Sequence, residues 1–253
     1  MIKKQGFTLA EVLITLGIIG VVAAMTIPTL ISNTNGAQFK TAYKKALSTL
    51  NQAVLMNVAL EDTDLSRVAA DTSATSNVGI GAILHDRMQA ATDIASSYSS
   101  LTQNQPVLTE SNGNSAPKLV YTVTCTKNGN TWTAPTAATG QTVGTCNAQG
   151  VAEVEETMST TLGDYVKLSF ADGTAFWYNK NANNCTDTEA AKNKCYGFID
   201  VNAATGPNQV ISCANASNGK CDSSEISDIF PVVFHGQTFE PATDSARAVL
   251  FGK

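Results

Sequence analysis

The chain has 253 residues, 43% of them hydrophobic, enough for one large domain or two small ones with a packed core. Only 15% are Asp, Glu, Lys or Arg, against about 25% in an average globular domain. Sixteen basic and 21 acidic residues, net charge −5, argue against a broad basic face for duplex nucleic acid. Two histidines beside six cysteines argue against a zinc-rich enzyme.

The charge is unevenly spread. Residues 12–38 contain no ionisable side chain, and 12–31 are almost wholly apolar. Twenty helical residues span about 30 Å, the thickness of a bilayer's hydrocarbon core. Ahead of this run stand Met1-Ile2-Lys3-Lys4-Gln5-Gly6 and Phe7-Thr8-Leu9-Ala10-Glu11. A secretory signal peptide cleaved near Ala23-Ala24 would explain the basic start, but the apolar run is too long and Glu11 would lie inside it. A plain membrane anchor explains the length but neither Glu11 nor the Gly6-Phe7 pair. The reading that accounts for all three features makes Glu11 functional, because an ionisable group in a membrane segment is costly and usually has a partner.

Lys3-Lys4-Gln5-Gly6, then Phe7-Thr8-Leu9-Ala10-Glu11-Val12-Leu13-Ile14, then Ile27-Pro28-Thr29-Leu30 resemble the N-terminal segment of type IV prepilins. That class includes the pseudopilins of type II secretion and related competence and minor pilins. The resemblance covers about the first 30 residues. It implies a leader peptide, 1–6, removed between Gly6 and Phe7 by a membrane-embedded prepilin peptidase that also methylates the new Phe7 amine. It further implies a transmembrane and assembly helix, 7–36, and a globular head, 37–253, that includes the amphipathic half of the long helix. Ala10 stands where a bulkier aliphatic residue is common, and keeps the apolar character. Physically, the Phe7 amine and Glu11 lie one helical turn apart, or meet across neighbouring subunits. Either charge alone in hydrocarbon would cost several kcal/mol, so pairing selects one axial register. Lys3 and Lys4 before the span and Lys40, Lys44 and Lys45 after it leave the positive-inside count ambiguous. The cysteines orient the chain better, since they require an oxidising compartment on the far side.

Beyond Gly36, Phe39, Tyr43, Ala46, Leu47, Leu50, Val54 and Val58 recur every three or four residues, with Lys40, Lys44, Lys45, Asn51 and Gln52 between them. This predicts one helix over about 8–60, roughly 80 Å long, bare in its first half and amphipathic in its second. Pro28 removes one backbone bond, and Gly17, Gly20 and Gly36 weaken their turns, leaving a kink and a locally melted stretch both open. A second helix is predicted over 78–98, with His85 as a solvated residue rather than a ligand. Residues 71–77 and 103–116 read as Ser/Thr/Asn-rich loops.

From Leu119 onward the pattern is that of strands: 119–124, 165–170, 174–178, 196–201 and 230–234, the last turning at His235-Gly236 into 237–240. Ala171-Asp172-Gly173 is a hairpin signal, with Val166, Leu168 and Phe170 on one strand face and Lys167 and Ser169 on the other. No repeat is apparent. The expected class is α+β, a long N-terminal helix packed on an antiparallel β-sheet head with disulfides. The resemblance implies the same pilin fold.

Cys125, Cys146, Cys185, Cys195, Cys213 and Cys221 all lie in the C-terminal half. An even count in a translocated domain favours disulfides over metal, there being no C-x-x-C pair. Of the 15 possible connectivities, pairing of sequence neighbours is preferred, because each bridge then closes a polar loop. The segment from Gly197 to Asn208 resembles a stretch in some pilin-like heads, and secretion pseudopilins can bind calcium in a C-terminal loop. Asp200, Asn202 and Asn208, with Asp222 or Asp228, are hard oxygen donors of that kind. The spacing is not that of an EF-hand, and an Asx and Gly-Pro turn is the preferred reading. No cofactor is otherwise expected.

His85 and His235 lie far apart without a nucleophile–base–acid set, and Glu153-Glu155-Glu156 reads as a solvated acidic cluster. No enzyme is expected. The expected function is a structural subunit of a type IV pilus-like filament. A type II secretion pseudopilin driving protein export is the alternative. A DNA-binding competence pilin comes third, weakened by the negative charge despite Lys192 and Lys194. Expected partners are copies of itself and other pilins, the prepilin peptidase and methylase, and an inner-membrane assembly platform; nucleic acid is not among them. The expected location is the bacterial inner membrane, single-pass, before assembly, then the cell surface or a periplasmic pseudopilus. Losing residues 1–6 removes Lys3 and Lys4, so 16 basic residues become 14 against 21 acidic, a side-chain net of −7.

Overall fold

The computed structural model describes residues 8–71, 79–88, 94–95, 107–111, 116–137, 140–186, 194–203, 205–222 and 225–252. Helix α1 runs over Leu9–Glu61, 53 residues, or about 80 Å. It begins at Thr8, whose side chain accepts from the Glu11 backbone, and ends where Asp62 takes a left-handed conformation and donates to Val58 O. The helix continues through Gly17, Gly20, Pro28 and Gly36 without interruption.

Its two halves have different surroundings. From Leu9 to Ile31 every large apolar side chain is exposed, Leu13 and Ile19 by 61% and 64%. Polar groups in this stretch are satisfied within the helix. Thr15 donates to Glu11 O, Thr26 to Val22 O and Thr29 to Thr26 O, the arrangement a hydroxyl needs where no water reaches it. From Tyr43 the stripe of Ala46, Leu47, Leu50, Ala53 and Val54 is buried against the head. Tyr43 stacks on Phe230 at 4.3 Å between ring centroids.

The head's main sheet contains β1 (Ile94–Ala95), β2 (Val107–Glu110), β8 (Tyr165–Ser169), β9 (Ala175–Asn179), β10 (Tyr196–Asp200), β11 (Gln209–Val210), β12 (Ile229–His235) and β13 (Thr238–Pro241). Their order is β1-β8-β9-β10-β12-β11-β2, with β13 also paired to β12. Pairing is antiparallel except around β11, which runs parallel to β12 and β2. A smaller sheet, β3 (Lys118–Thr124), β7 (Val151–Thr157) and β6 (Gln141–Val143), lies beside it, and β4 (Thr126–Asn128) and β5 (Thr131–Thr133) form a separate hairpin. Helices α2 (Ile80–Arg87) and α3 (Asp244–Phe251) complete the head. The class is α+β, as the pattern predicts.

Three expectations are corrected. The second helix stops at Arg87, and Ile94–Ala95 pairs with Leu168 and Lys167 as an edge strand; the exposed backbone of β8 competes for a segment that helical spacing alone assigned to α2. The supposed loop 103–116 contains strand β2. On the face of β8 and β9 opposite α1, Tyr165, Trp177, Tyr196 and Phe198 form a second core with Leu119 and Met158. The sheet is thus buried on both sides, where strands lose clean alternation. Finally, Glu153, Glu155 and Glu156 are not one exposed cluster. They lie on β7, whose alternation sends Ala152, Val154 and Glu156 inward. Glu156 is fully buried, accepting from Gln141 Nε2 at 3.0 Å and pairing with Lys194 Nζ at 3.2 Å.

Candidate functional site

The bare half of α1 is the first candidate. Glu11 sits in the opening turn, where its Oε2 accepts from both the backbone N–H and the hydroxyl of Thr8 at 2.8 Å, while the Glu11 N–H donates to Thr8 Oγ1 at 3.3 Å. This reciprocal pair is a capping box. It is visible as Thr-x-x-Glu in the sequence, yet the apolar context draws attention to the charge instead. Gly6 and Phe7 lie outside the described residues. Pro28 lies within the exposed apolar run, where it removes the N–H that Ala24 O would accept. Leu9–Glu61 is long and apolar enough to cross a membrane, and its most apolar stretch is not buried within the chain.

Several polar contacts fix this rod to the head. Lys40 Nζ donates to Gly252 O at 2.8 Å, Lys45 Nζ pairs with Asp172 at 2.8 Å, and Asn51 bonds the Phe239 backbone. Arg87 reaches from α2 to Asn57 Oδ1 and Glu61. The orientation of the bare half is therefore set by the head.

The second candidate lies where β10 ends. Asp200, Asn202 and Asn208 come together there with Asp228, which precedes β12. Asp200 and Asp228 are fully buried. Asp228 Oδ2 and Oδ1 accept from the N–H groups of Asn208 and Gln209 at 2.7 and 2.9 Å. Asp200 Oδ1 accepts from Asn202 N at 3.2 Å, and Asn202 Nδ2 donates to Gly206 O. Asp200 Oδ2 and Asn202 Oδ1 are buried without a hydrogen-bond partner. Burial and the neighbouring Asp228 push the Asp200 carboxyl up to about 7. The Asx turn expected from the sequence is present, but it leaves oxygens over. Asp222 is not part of this group; its N–H donates to Glu225 beside Cys221.

The cysteines are paired Cys125–Cys146, Cys185–Cys195 and Cys213–Cys221. Cys213 and Cys221 also lie near Glu225, but as a disulfide they offer no thiolate to a metal. His85 is exposed on α2, and His235 lies 3.8 Å from Glu240 on the β12–β13 turn. Lys194 is engaged by Glu156, and Lys192 lies outside the described residues.

The chain thus joins a helix with an exposed apolar half to a disulfide-bonded sheet head. Residues 1–27 match the family described as the prokaryotic N-terminal methylation motif, the prepilin motif of type IV pilins and pseudopilins. The motif supports a type IV pilin-like or pseudopilin protein, processed by a prepilin peptidase and associated with the membrane through its apolar N-terminal helix. No curated protein and no solved structure matches the chain.

Proposed function

We propose that this chain is a structural rather than enzymatic protein, a subunit of a type IV pilus-like filament. It is cleaved after Gly6, methylated at Phe7 and polymerised through its N-terminal helix. The observation that carries the reading is the exposed apolar half of α1, continuous with a head-docked half and interrupted by one carboxylate, Glu11. The apolar face first lies in the inner-membrane bilayer and then against the same helix of other subunits. Moving from one apolar environment to the other conserves its burial, so register is decided by polar groups. Glu11 provides that choice: in the filament its carboxylate accepts from the Phe7 amine of a neighbouring subunit. The Thr-, Ser- and Asn-rich head, held by three disulfides, forms the outer surface and tolerates the extracellular medium.

The test is mass spectrometry and electron microscopy of filaments sheared from cells. Mature chain beginning at methylated Phe7 as an abundant filament component supports the pilus. Absence from surface filaments, together with loss of protein export on deletion of the gene, would replace it by a secretion pseudopilin.

A further inference from the structure

We propose that a second copy of this chain docks in the cleft between α1, α2 and the β8–β9 turn, and that the side chain it inserts there is Phe251. The proposal rests on assembly through the N-terminal helix and adds to it a specific contact between heads.

Phe251, at the end of α3, is 70% exposed, and among the described residues it is the one aromatic side chain mostly in solvent. Its position is fixed from two sides. Lys40 Nζ donates to Gly252 O at 2.8 Å, and Gly252 packs so closely on the Cys213–Cys221 loop that a side chain there would lie 2.8 Å from Gly219 O. The receiving cleft holds about 350 Å³, within the range of pockets that enclose small ligands. Ala46, Met56, Met88 and Phe170 supply apolar walls, and Lys45 and Arg87 line it as well. A ring suits that lining better than an aliphatic chain does, because thioether sulfur attracts aromatic edges and cations attract the ring face. The cleft therefore selects an aromatic occupant.

The chain cannot fill the cleft with its own Phe251. Lys40 and Tyr43 face α3, the one through its bond to Gly252 and the other through the field of Arg247, whereas Thr49 lines the cleft. Thr49 lies roughly two and a half helical turns beyond Lys40, so α3 and the cleft occupy opposite flanks of α1. A knob and a hole on opposite flanks join copies heterologously, and such contacts propagate as an open filament. The axial register agrees. With the Phe7 amine of one copy against Glu11 of the next, the two parallel helices are offset by four residues, about 6 Å. The neighbour's Lys40 turn, with Phe251 beside it, then stands level with Lys44 and Lys45, where the cleft begins.

The experiment places p-benzoylphenylalanine at position 251 of the full chain in the producing cells and irradiates sheared filaments with ultraviolet light. Covalent dimers are expected, with the attachment mapped by mass spectrometry to Met56 or Met88 of a second chain. Phe251→Ala, a change at an exposed position, should keep the unfolding midpoint of the detergent-solubilised chain within about 2 °C of wild type. It should nevertheless lower the ratio of filament to membrane protein by about tenfold. Met56→Ser should lower that ratio comparably, and the double variant no further than either single change. Normal filament yield from Phe251→Ala would overturn the contact and leave the filament reading standing, as would assembled filaments that cross-link elsewhere or not at all. Absence of the wild-type chain from sheared filaments would overturn the filament reading and this contact with it.

Discussion

The Asn51 side chain behaves as an extra strand residue for Phe239: its Oδ1 accepts from Phe239 N at 2.8 Å and its Nδ2 donates to Phe239 O at 3.2 Å. A helix has satisfied both backbone groups of an edge position on β13 with one amide. Asn51→Ala should leave that N–H and C=O without partners beside the core and cost about 1–3 kcal/mol. Asn51→Asp, which keeps the acceptor but loses the donor, should fall between wild type and alanine. Chemical unfolding of the full chain in detergent measures both; an unchanged midpoint in Asn51→Ala would show that the two-way bond contributes nothing.

Glu11 has two separable tasks, capping α1 and pairing a charge. In the single chain it closes a capping box with Thr8, a contact worth about 0.5–2 kcal/mol to the first turn. Glutamine can close the same box but carries no charge. Both Glu11→Gln and Glu11→Ala should reach the membrane and be processed, and both should sharply reduce filament yield, because charge pairing rather than capping selects the register. Immunoblots of sheared filaments against the membrane fraction give the measurement. Normal assembly of Glu11→Gln would assign the residue to capping alone.

The parts of this fold legible in the sequence are those where one physical cause dominates. The 53-residue helix follows from a long apolar run continued by a regular stripe at Tyr43, Leu47, Leu50 and Val54. The 171–173 turn is announced by Asp-Gly between β-rich segments. Where two causes compete, local pattern fails. Ile94 and Ala95 fit helical spacing but pair with β8 because that edge is available. Glu156 looks solvated until Lys194, 38 residues away in sequence, neutralises it in the interior. The polar cluster at the end of β10 is half legible: Asp200, Asn202 and Asn208 are local, whereas Asp228 joins them only through the pairing of β10 with β12.

The Glu156–Lys194 pair offers a test of buried charge. Glu156 has no exposed side-chain area, whereas Lys194 keeps 38%. Lys194→Met strands a carboxylate with Gln141 as its remaining protein partner on Oε2 and should cost about 2–3 kcal/mol, below the full buried-pair figure because solvent reaches the lysine. Glu156→Gln leaves Lys194 free to turn to water and should cost about 1 kcal/mol or less. The double variant should resemble Glu156→Gln alone, a non-additivity that urea midpoints resolve. Additive costs would mean that the two residues do not compensate each other.

The three disulfides should not be equivalent. Chain-entropy arguments give about 2.5–3.3 kcal/mol for loops of 8, 10 and 21 residues, too small a spread to rank them. Location ranks them instead. Cys185 and Cys195 are fully buried in the main core, and their backbones bond Leu65, Gly236 and Phe234. Cys125–Cys146 lies at the smaller sheet and the β4–β5 hairpin. Replacing the first pair by alanine should lower stability well beyond the loop term. Replacing Cys125 and Cys146 should leave the main sheet's hydrogen-exchange protection intact while loosening residues 126–146. Equal loss of protection across the head in both variants would contradict this division.

Lys45 and Asp172 link α1 to the β8–β9 turn at 2.8 Å, and Thr174 donates to the other carboxylate oxygen from its hydroxyl and its N–H. Partial burial pushes the Asp172 carboxyl upward, but the bonds from Lys45 and Thr174 outweigh it and hold the group below the usual carboxylate range. A carboxyl depressed in the folded state favours folding at pH values above its unfolded pKa of about 3.9, and that contribution is lost as pH falls through the folded value. Lys45 is largely in solvent and Asp172 is partly so, and the contribution should not exceed about 1 kcal/mol. Asp172→Asn keeps an acceptor for Thr174 and removes the charge. It should therefore unfold slightly more easily than wild type at pH 7, and the difference should shrink below the unfolded value and vanish at acid pH below the folded one. High salt should shrink the gap at pH 7 in the same way. Thermal midpoints of the two proteins across pH 2.5–7 measure it, and a gap that persists undiminished at the acid end would show that Asp172 acts through turn geometry and not through its charge.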